Sequence, residues 1–188
     1  MTAMPVAHPM TAEEFLARPL TPRFRREELV AGELVMHEPL PLHQIVTRDL
    51  LVALTVWTRG GPGRGFAILP LDVRMDDRNV YAPDVLWYAE GHAPGRHGGR
   101  PSPVPDLAVE VRSPSTWRYD VGVKKAVYEE RGLPELWLVD TLAPSILVFR
   151  RSEPGAGFDV ALELTPGETL TSPLLPGFAM AIADLFTE

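Results

Sequence analysis

The sequence contains no cysteine among its 188 residues. This absence excludes a disulfide scaffold, cysteine–zinc and iron–sulfur sites, and a thiol nucleophile. No apolar run approaches the roughly 18 residues that a membrane helix needs. The opening residues, MTAMPVAHPM, lack the basic and apolar segments of a secretory signal. We therefore expect a cytoplasmic protein with no membrane association.

Positive charge is scarce, since 18 Lys and Arg residues face 25 Asp and Glu residues, a net charge of −7. A protein this acidic is not an obvious nucleic-acid binder. The charge is uneven, however, and residues 92–131 hold seven basic and five acidic side chains. An apolar content of 45% is typical of a folded soluble domain, and the length suffices for one substantial core.

Apolar spacing and turn residues predict a single domain over residues 11–188 after a loose tail over residues 1–10. Thr11 caps a short helix that ends before Pro19, and Ala31-Gly32 forms the turn of a hairpin. A long helix lies between Pro39 and Gly60. Its expected buried face consists of Ile45, Leu50, Leu51, Leu54 and Trp57.

The second half of the chain alternates strands with one further helix. Thr116 to Arg131 is expected to be a continuous helix closed by Gly132. The expected strands are GFAILP, LDVRMD, DVLWYAE, DLAVEVRS, ELWLVD and SILVFRR. This order predicts an α/β or α+β fold, with a mixed central sheet flanked by helices.

Three charged residues stand where a core element normally carries an apolar side chain. Asp84 opens an apolar strand after Pro83, and Glu110 lies in the middle of DLAVEVRS. Lys124 shares one helical face with Tyr128, four residues later. A carboxylate inside so apolar a strand is costly unless it is paired or bound to a cation.

These residue types suggest a hydrolytic phosphodiesterase. Two carboxylates on neighbouring strands can hold a hard divalent cation such as Mg²⁺, which prefers oxygen ligands. A nearby lysine can then polarise a water molecule or stabilise the developing phosphorane charge.

Several segments resemble the Uma-type restriction endonuclease family of the PD-(D/E)XK nuclease superfamily. They are PDVLWY, DLAVEVRSPST, RYDVGVKKAVYEERGLPELWLVD, TSPLLPGF and the EELVAGELV hairpin followed by His43. The resemblance spans roughly residues 11–186 and implies a restriction-endonuclease-like core.

The resemblance implies that Asp84 and Glu110 are metal ligands and that Lys124 is the catalytic lysine. Glu28 matches an acidic residue of the N-terminal motif and completes the expected catalytic set. In the simplest superfamily pattern the lysine follows the glutamate by two positions, but here Arg112 stands there, and Lys124 fits a lysine that has moved to the next helix. The implied cofactor is Mg²⁺, with Mn²⁺ as a substitute and no organic cofactor.

DNA is the implied partner, and the basic segment offers candidate contacts to it. They are Arg112, Lys125, Arg118 and Ser113. Arg112 could instead neutralise Glu110. A homodimer is also expected, because the apolar runs ELWLVD and SILVFRR could form an interface and two-fold symmetry suits the cutting of two strands.

Each of these residues also has a purely structural interpretation. Asp84 could cap a turn, Glu110 could pair with Arg112 on a half-exposed strand, and Lys124 could lie on a solvated helix face. Tyr128 could serve packing alone, and Glu28 could face solvent. Two other functions therefore stay open, which are a catalytically inactive module with a nuclease fold and a structural homodimer subunit.

Overall fold

The computed structural model describes residues 8–19 and 26–187, and of Arg26 only the backbone. Most of the predicted N-terminal tail, residues 1–7, lies outside the described residues. Thr11 caps helix α1 (Ala12–Ala17), as the sequence predicted, and its side chain accepts the Glu14 N–H in a capping box.

A hairpin and a long helix follow. Strands β1 (Arg26–Val30) and β2 (Glu33–His37) pair antiparallel across a two-residue turn. Ala31 and Gly32 both have positive φ, of 51° and 80°, which is the geometry of a type I′ hairpin turn. Helix α2 (Pro41–Arg59) buries Leu50, Leu54 and Trp57 as predicted. The prediction for Ile45 is wrong, because the core-facing side of the helix carries Val46 and Ile45 is exposed.

The remaining elements alternate strands with an interrupted helix. The strands are β3 (Phe66–Ile68), β4 (Val73–Arg74), β5 (Val80–Tyr81), β6 (Val85–Tyr88), β7 (Leu107–Val111), β8 (Glu135–Asp140), β9 (Ser145–Arg150), β10 (Val160–Leu164), β11 (Thr169–Leu170) and β12 (Met180–Ala181). Between β7 and β8 lie α3 (Trp117–Tyr119), a π-helical turn (Asp120–Lys124) and α4 (Lys125–Glu130), and a 3₁₀ turn (Ile182–Leu185) closes the chain.

The strands form three sheets, and the largest is mixed, as predicted. Its order is β10-β9-β8-β7-β6-β3, and only β7 and β8 run parallel, since the helical segment between them supplies the crossover. A smaller sheet has the order β2-β1-β5-β4, and β11 pairs with β12.

The large sheet is covered on both faces. One face packs against α2 and the C-terminal segment around Val109, Trp137 and Phe178. The other face packs against the small sheet and α4 through Ala108, Leu136 and Tyr128. The alternation of β7 therefore directs Leu107, Val109 and Val111 to the first face and Glu110 to the second, as the sequence predicted. Among the described helices, none combines the length and hydropathy that crossing a bilayer requires.

The apolar runs that were expected to form a dimer interface pair with each other inside the large sheet. Strand β8 is buried along Glu135 to Val139, and β9 pairs with it along its whole length. Sheet formation therefore removes ELWLVD from the surface, and the sequence-based reason for a homodimer interface at this run is wrong.

Gly65 allows β3 to lie close against β6. Its φ is +68°, and a Cβ there would fall 2.0 Å from the Tyr88 carbonyl oxygen. We expect Gly65→Ala to lower the free energy of unfolding by about 1–3 kcal/mol more than Gly63→Ala. Gly63 is a matched control, since its φ is +73° but its Cβ would meet only Glu90 Oε2 at 3.5 Å. Urea unfolding measures both, and equal losses would contradict the close approach.

Glu135 joins the C-terminal segment to the large sheet. Its Oε1 accepts the Trp137 indole N–H at 2.6 Å, and its Oε2 accepts the Ser172 hydroxyl at 2.7 Å. Burial raises the pKa of this carboxyl above its ordinary value of 4.5.

Glu135→Gln will therefore change the pH dependence of stability. A carboxyl whose folded pKa is raised loses stabilisation as the pH climbs from the unfolded pKa through the folded one, and glutamine removes this loss. The free energy of unfolding of Glu135→Gln, relative to wild type, should rise as the pH climbs above the ordinary pKa of 4.5. Glu163→Gln, on an exposed part of β10, is the control. A pH-independent difference would contradict the expectation.

Candidate active site

Lys124 lies at the centre of a buried cluster of carboxylates. Its Nζ is 2.7 Å from Glu110 Oε1, 3.0 Å from Asp120 Oδ1, and 3.0 and 3.1 Å from the two carboxylate oxygens of Glu28. All four side chains are only 1–2% exposed. One ammonium group thus contacts three carboxyl groups away from solvent.

Three separate elements bring these groups together. Glu28 lies on β1 of the small sheet, Glu110 lies on β7 of the large sheet, and the π-helical turn supplies Asp120 and Lys124. The prediction of a continuous helix from Thr116 to Arg131 is wrong. Gly122 has non-helical backbone angles (φ −108°, ψ −106°), which break the helix between the two inward-facing residues.

Further groups hold the carboxylates of Glu28 and Glu110. Glu28 Oε2 lies 2.5 Å from His37 Nε2, and Glu28 Oε1 accepts the Ala82 N–H at 2.5 Å. Tyr128 donates its hydroxyl to Glu110 Oε1 at 2.7 Å. Each oxygen of Glu28 and Glu110 that faces Lys124 therefore has a second partner.

Asp84 lies beside this cluster. It precedes Val85, which pairs with Val109, so the antiparallel ladder places Asp84 across from Glu110. Its Oδ2 accepts the Val111 N–H at 2.8 Å, and its Oδ1 lies 3.2 Å from His43 Nε2. The carboxylate is thereby fixed between β7 and α2.

The charges of the cluster shift its pKa values in opposite directions. Burial alone would lower the pKa of Lys124, but Asp120, Glu110 and Glu28 outweigh it and raise this pKa well above the ordinary value. Burial likewise opposes ionisation of Glu28, yet the charges of Lys124 and His37 lower its pKa. Lys124 is therefore an ammonium and Glu28 a carboxylate at neutral pH.

The other two carboxyls of the cluster titrate higher than usual. Burial raises the pKa of Glu110 to about 8, and the neighbouring charges on Asp120, Glu28 and Asp84 add to this effect. Burial also raises the pKa of Asp120, although Lys124 opposes it. Groups with strongly shifted pKa values in one place are characteristic of catalytic sites.

Three sequence-based structural interpretations do not match this geometry. Glu110 does not pair with Arg112 on a half-exposed strand, because the whole of β7 is buried. Lys124 is not on a solvated helix face, since it points into the cluster, and Glu28 is buried.

The sequence-based candidates for DNA contact lie outside the cluster. Arg112 donates to Asp140 Oδ2 at 2.7 Å, so the expectation that it neutralises Glu110 is wrong. Side-chain alternation along β7 places both on one face, but Asp140 at the end of β8 offers the nearer carboxylate. The guanidinium of Arg112 also lies 5.2 Å from the centre of the Trp117 ring.

The other three candidates differ in exposure. Arg118 is exposed and donates to the Tyr119 hydroxyl at 2.8 Å. Lys125 is half-buried, 3.8 Å from Glu129 Oε2. Ser113 is buried, with its hydroxyl 2.6 Å from that of Thr116, which in turn donates to Asp120. Ser113 therefore supports the cluster indirectly.

Sequence reasoning missed Asp120 and His37, although both had a detectable signal. Asp120 precedes Lys124 by four residues, the spacing of an ion pair on one helical face. The two-residue turn fixes Glu28 opposite Val35, which makes His37 its diagonal neighbour on the same face of the hairpin.

The donor set is chemically suited to a hard divalent cation. Asp84 and Glu110 offer carboxylate oxygens, which Mg²⁺ and Mn²⁺ prefer. Within residues 8–19 and 26–187, no group of three or more His, Asp or Glu side chains is arranged to hold a metal. Mg²⁺ commonly uses only one or two carboxylates together with waters and substrate phosphates, so the pair formed by Asp84 and Glu110 fits.

The chain matches one protein family and is similar to a solved structure. The model of the Uma2 family, described as "Putative restriction endonuclease", matches residues 12–183. A crystal structure of a "putative nuclease belonging to DUF820" from Anabaena variabilis superposes with a TM-score of 0.78 and 19% sequence identity. The match covers 95% of this chain and 98% of that one, and it shows a shared fold. No curated protein matches the sequence.

Proposed function

The chain belongs to the Uma2 family, and from this premise we propose that it is a metal-dependent endonuclease that hydrolyses phosphodiester bonds in DNA. The observation that carries the proposal is the meeting of Glu110 with the Lys124 ammonium at 2.7 Å, beside Asp84 on the adjoining strand. A carboxylate pair next to a fixed ammonium suits a reaction in which negative charge develops on phosphate oxygens.

Asp84 and Glu110 would hold Mg²⁺, or Mn²⁺ in its place, and Glu28 completes the acidic set. When bound, such an ion stabilises negative charge on phosphoryl oxygens and lowers the pKa of a coordinated water. The protein keeps both ligands in place: Val111 and His43 fix Asp84, and Tyr128 fixes Glu110. Rigid ligands of this kind reduce the reorganisation that catalysis requires.

Lys124 would act as a hydrogen-bond donor. Because the three carboxylates keep its pKa well above the ordinary value, Nζ stays protonated and cannot accept a proton from water. It can donate to a phosphate oxygen as charge accumulates there, which lowers the barrier electrostatically.

Access to the cluster requires movement, since its side chains are almost fully buried. The π-helical turn carries both Asp120 and Lys124 and is interrupted at Gly122, where an added Cβ would meet nothing within 4 Å. This turn is therefore the element whose displacement would open the cluster to a phosphate.

Cleavage of plasmid DNA by the wild-type protein tests the proposal. We expect strand cleavage with Mg²⁺ or Mn²⁺ and none with EDTA. Cleavage that is equally fast in EDTA would contradict the metal dependence, and the absence of cleavage of both plasmid and single-stranded DNA under all conditions would contradict the nuclease activity.

A catalytically inactive module with the same fold is the second candidate. The observation that favours it is the occupation of the centre of the carboxylate cluster by Lys124, which leaves the cluster nearly inaccessible to solvent. Such a module would bind nucleic acid or protein without Mg²⁺-dependent cleavage, so the plasmid assay separates the two.

DNA contacts and oligomeric state complete the proposal. Arg118 is exposed near the cluster and is available to a DNA phosphate, and Arg112 and Lys125 could exchange their carboxylate partners for one. A homodimer would suit the cutting of both strands. Analytical ultracentrifugation tests it, and a monomer at all concentrations would contradict it.

A further inference from the structure

A cavity of about 970 Å³ lies between the edge strand β3 and the loop that connects β6 to β7. Its volume falls within the range of about 300–1,000 Å³ typical of small-molecule sites. The lining combines apolar side chains of β3 with a glycine-rich stretch that contains Arg96, His97 and Arg100. None of these residues belongs to the carboxylate cluster.

The β3 side of the cavity is apolar. Phe66 is 46% exposed although it lies in a strand, and Ile68 and Leu71 are half-buried beside it. Because β3 ends the six-stranded sheet, no further strand of the described residues pairs with it on this side. An exposed ring of this kind offers a flat surface for a planar group.

The loop side of the cavity is basic. Arg96 and His97 are both exposed. Arg100 already has partners, because it forms an ion pair with Asp72 and its guanidinium lies over the ring of Phe15. The loop is anchored where Ser102 donates its N–H to the Asp72 carbonyl at 2.8 Å. Arg96 and His97 therefore take no part in anchoring the loop. They are basic residues in a protein whose overall charge is negative.

The cavity adjoins the carboxylate cluster through β4 and β5. Asp72 lines the cavity and directly precedes Val73, which pairs with Tyr81. The Tyr81 ring lies 5.3 Å from Lys124 Nζ. Burial raises the pKa of Asp72, although its ion pair with Arg100 opposes the rise.

We propose that this cavity binds an unpaired nucleotide of the nucleic-acid substrate, with its base against Phe66 and its phosphates facing Arg96 and His97. The inference rests on the proposed function for its substrate class. Bases stack on aromatic rings independently of sequence, and the cationic Arg96 side chain attracts the backbone, to which the His97 ring can donate a hydrogen bond.

The volume of the cavity suits an unpaired nucleotide rather than a duplex. Bases within a duplex are stacked inside it and reach a protein pocket only after unpairing, at a cost of a few kcal/mol. A strand that is already single, or the frayed end of a duplex, avoids that cost. The structure therefore predicts a preference for single-stranded DNA.

Fluorescence anisotropy with a short fluorescein-labelled oligothymidylate in EDTA tests this site without cleavage. We expect Phe66→Ala to weaken binding about tenfold, whereas Phe66→Trp should retain it. Arg96→Ala should reduce the slope of log K against log salt by about 0.7, the contribution of one phosphate contact to a single strand.

Two matched variants control for general effects. Leu162→Ala removes an exposed apolar side chain from β10, the opposite edge of the sheet, and Arg48→Ala removes an exposed arginine from α2. Both should bind the oligonucleotide like the wild type. Circular dichroism confirms that each variant is folded.

Three outcomes would overturn the inference. The first is wild-type affinity for the oligonucleotide in both Phe66→Ala and Arg96→Ala. The second is a Phe66→Ala variant that binds single-stranded and duplex DNA with equally weakened affinity. The third is displacement of the oligonucleotide by polyglutamate as effectively as by unlabelled DNA. Failure of Mg²⁺-dependent cleavage would instead contradict the proposed function, and it would not change the binding result.

Discussion

Glu110→Gln will lower the rate of DNA cleavage by about 10²–10³-fold, the scale at which loss of one charge-stabilising group affects catalysis. Glutamine keeps the shape of the side chain and can still accept hydrogen bonds from Tyr128 and Lys124. It cannot supply the anionic oxygen that a divalent cation needs. The measurement is single-turnover cleavage of a labelled DNA in Mg²⁺.

Asp106→Asn is the matched control for this variant. Asp106 lies immediately before the same strand, where it accepts the Ala89 N–H at 2.7 Å and lies 3.0 Å from His92. It does not contact the cluster, so cleavage should stay close to wild type. Equal losses in both variants would show that the effect is structural and would contradict the role of Glu110.

The same substitution at Glu110 should not weaken the fold near neutral pH. Its folded pKa of about 8 lies above the ordinary 4.5, so wild-type stability falls as the pH rises across this interval. Glutamine removes this fall. The free energy of unfolding of Glu110→Gln, relative to wild type, should therefore increase with pH, and loss of activity together with retained stability separates catalysis from folding.

Lys124→Met will destabilise the protein by about 3–5 kcal/mol near pH 7, because removing one partner of a buried ion pair leaves uncompensated charge. Three carboxylates lie within 3.1 Å of the ammonium, and all are buried. Methionine has a similar length and no charge, so packing is largely conserved. Urea unfolding measures the difference.

The stability that Lys124→Met loses should increase as the pH rises. Without the ammonium the folded pKa values of Glu110 and Asp120 rise further above their unfolded values, and the lowered pKa of Glu28 rises as well. The penalty is therefore small at low pH, where the carboxyls are neutral, and it grows as the pH rises.

Lys125→Met is the control for this substitution, since the neighbouring lysine forms only a partly exposed pair with Glu129 at 3.8 Å. It should cost at most about 1 kcal/mol. Equal losses in the two variants, or a pH-independent loss in Lys124→Met, would contradict the electrostatic account.

Much of the fold could be predicted because local signals agree with the final packing. Thr11 caps the first helix, Ala31-Gly32 forms the hairpin turn, and the alternation in β7 sets Glu110 apart from its apolar neighbours. The interruption at Gly122 could not be predicted from helical spacing, because that spacing continues across Gly122 as far as Tyr128.

The site could be predicted in its members but not in its connections. Asp84, Glu110, Lys124 and Glu28 each stood out as charged residues in apolar surroundings or through the family resemblance. Their partners depend on the long-range approach of the small sheet to the large one, which brings Glu28 to Lys124 across 96 residues. The diversion of Arg112 to Asp140 likewise depends on the parallel pairing of β7 with β8.

A crystal of the protein soaked in Mn²⁺ would show whether Asp84 and Glu110 share a metal ion, because anomalous scattering locates the ion without an assumption about activity. We expect a peak in contact with the carboxylate oxygens of Asp84 and Glu110, together with a displaced Lys124 side chain. A structure in which Lys124 keeps all three carboxylates and Mn²⁺ binds only at surface residues would contradict this expectation.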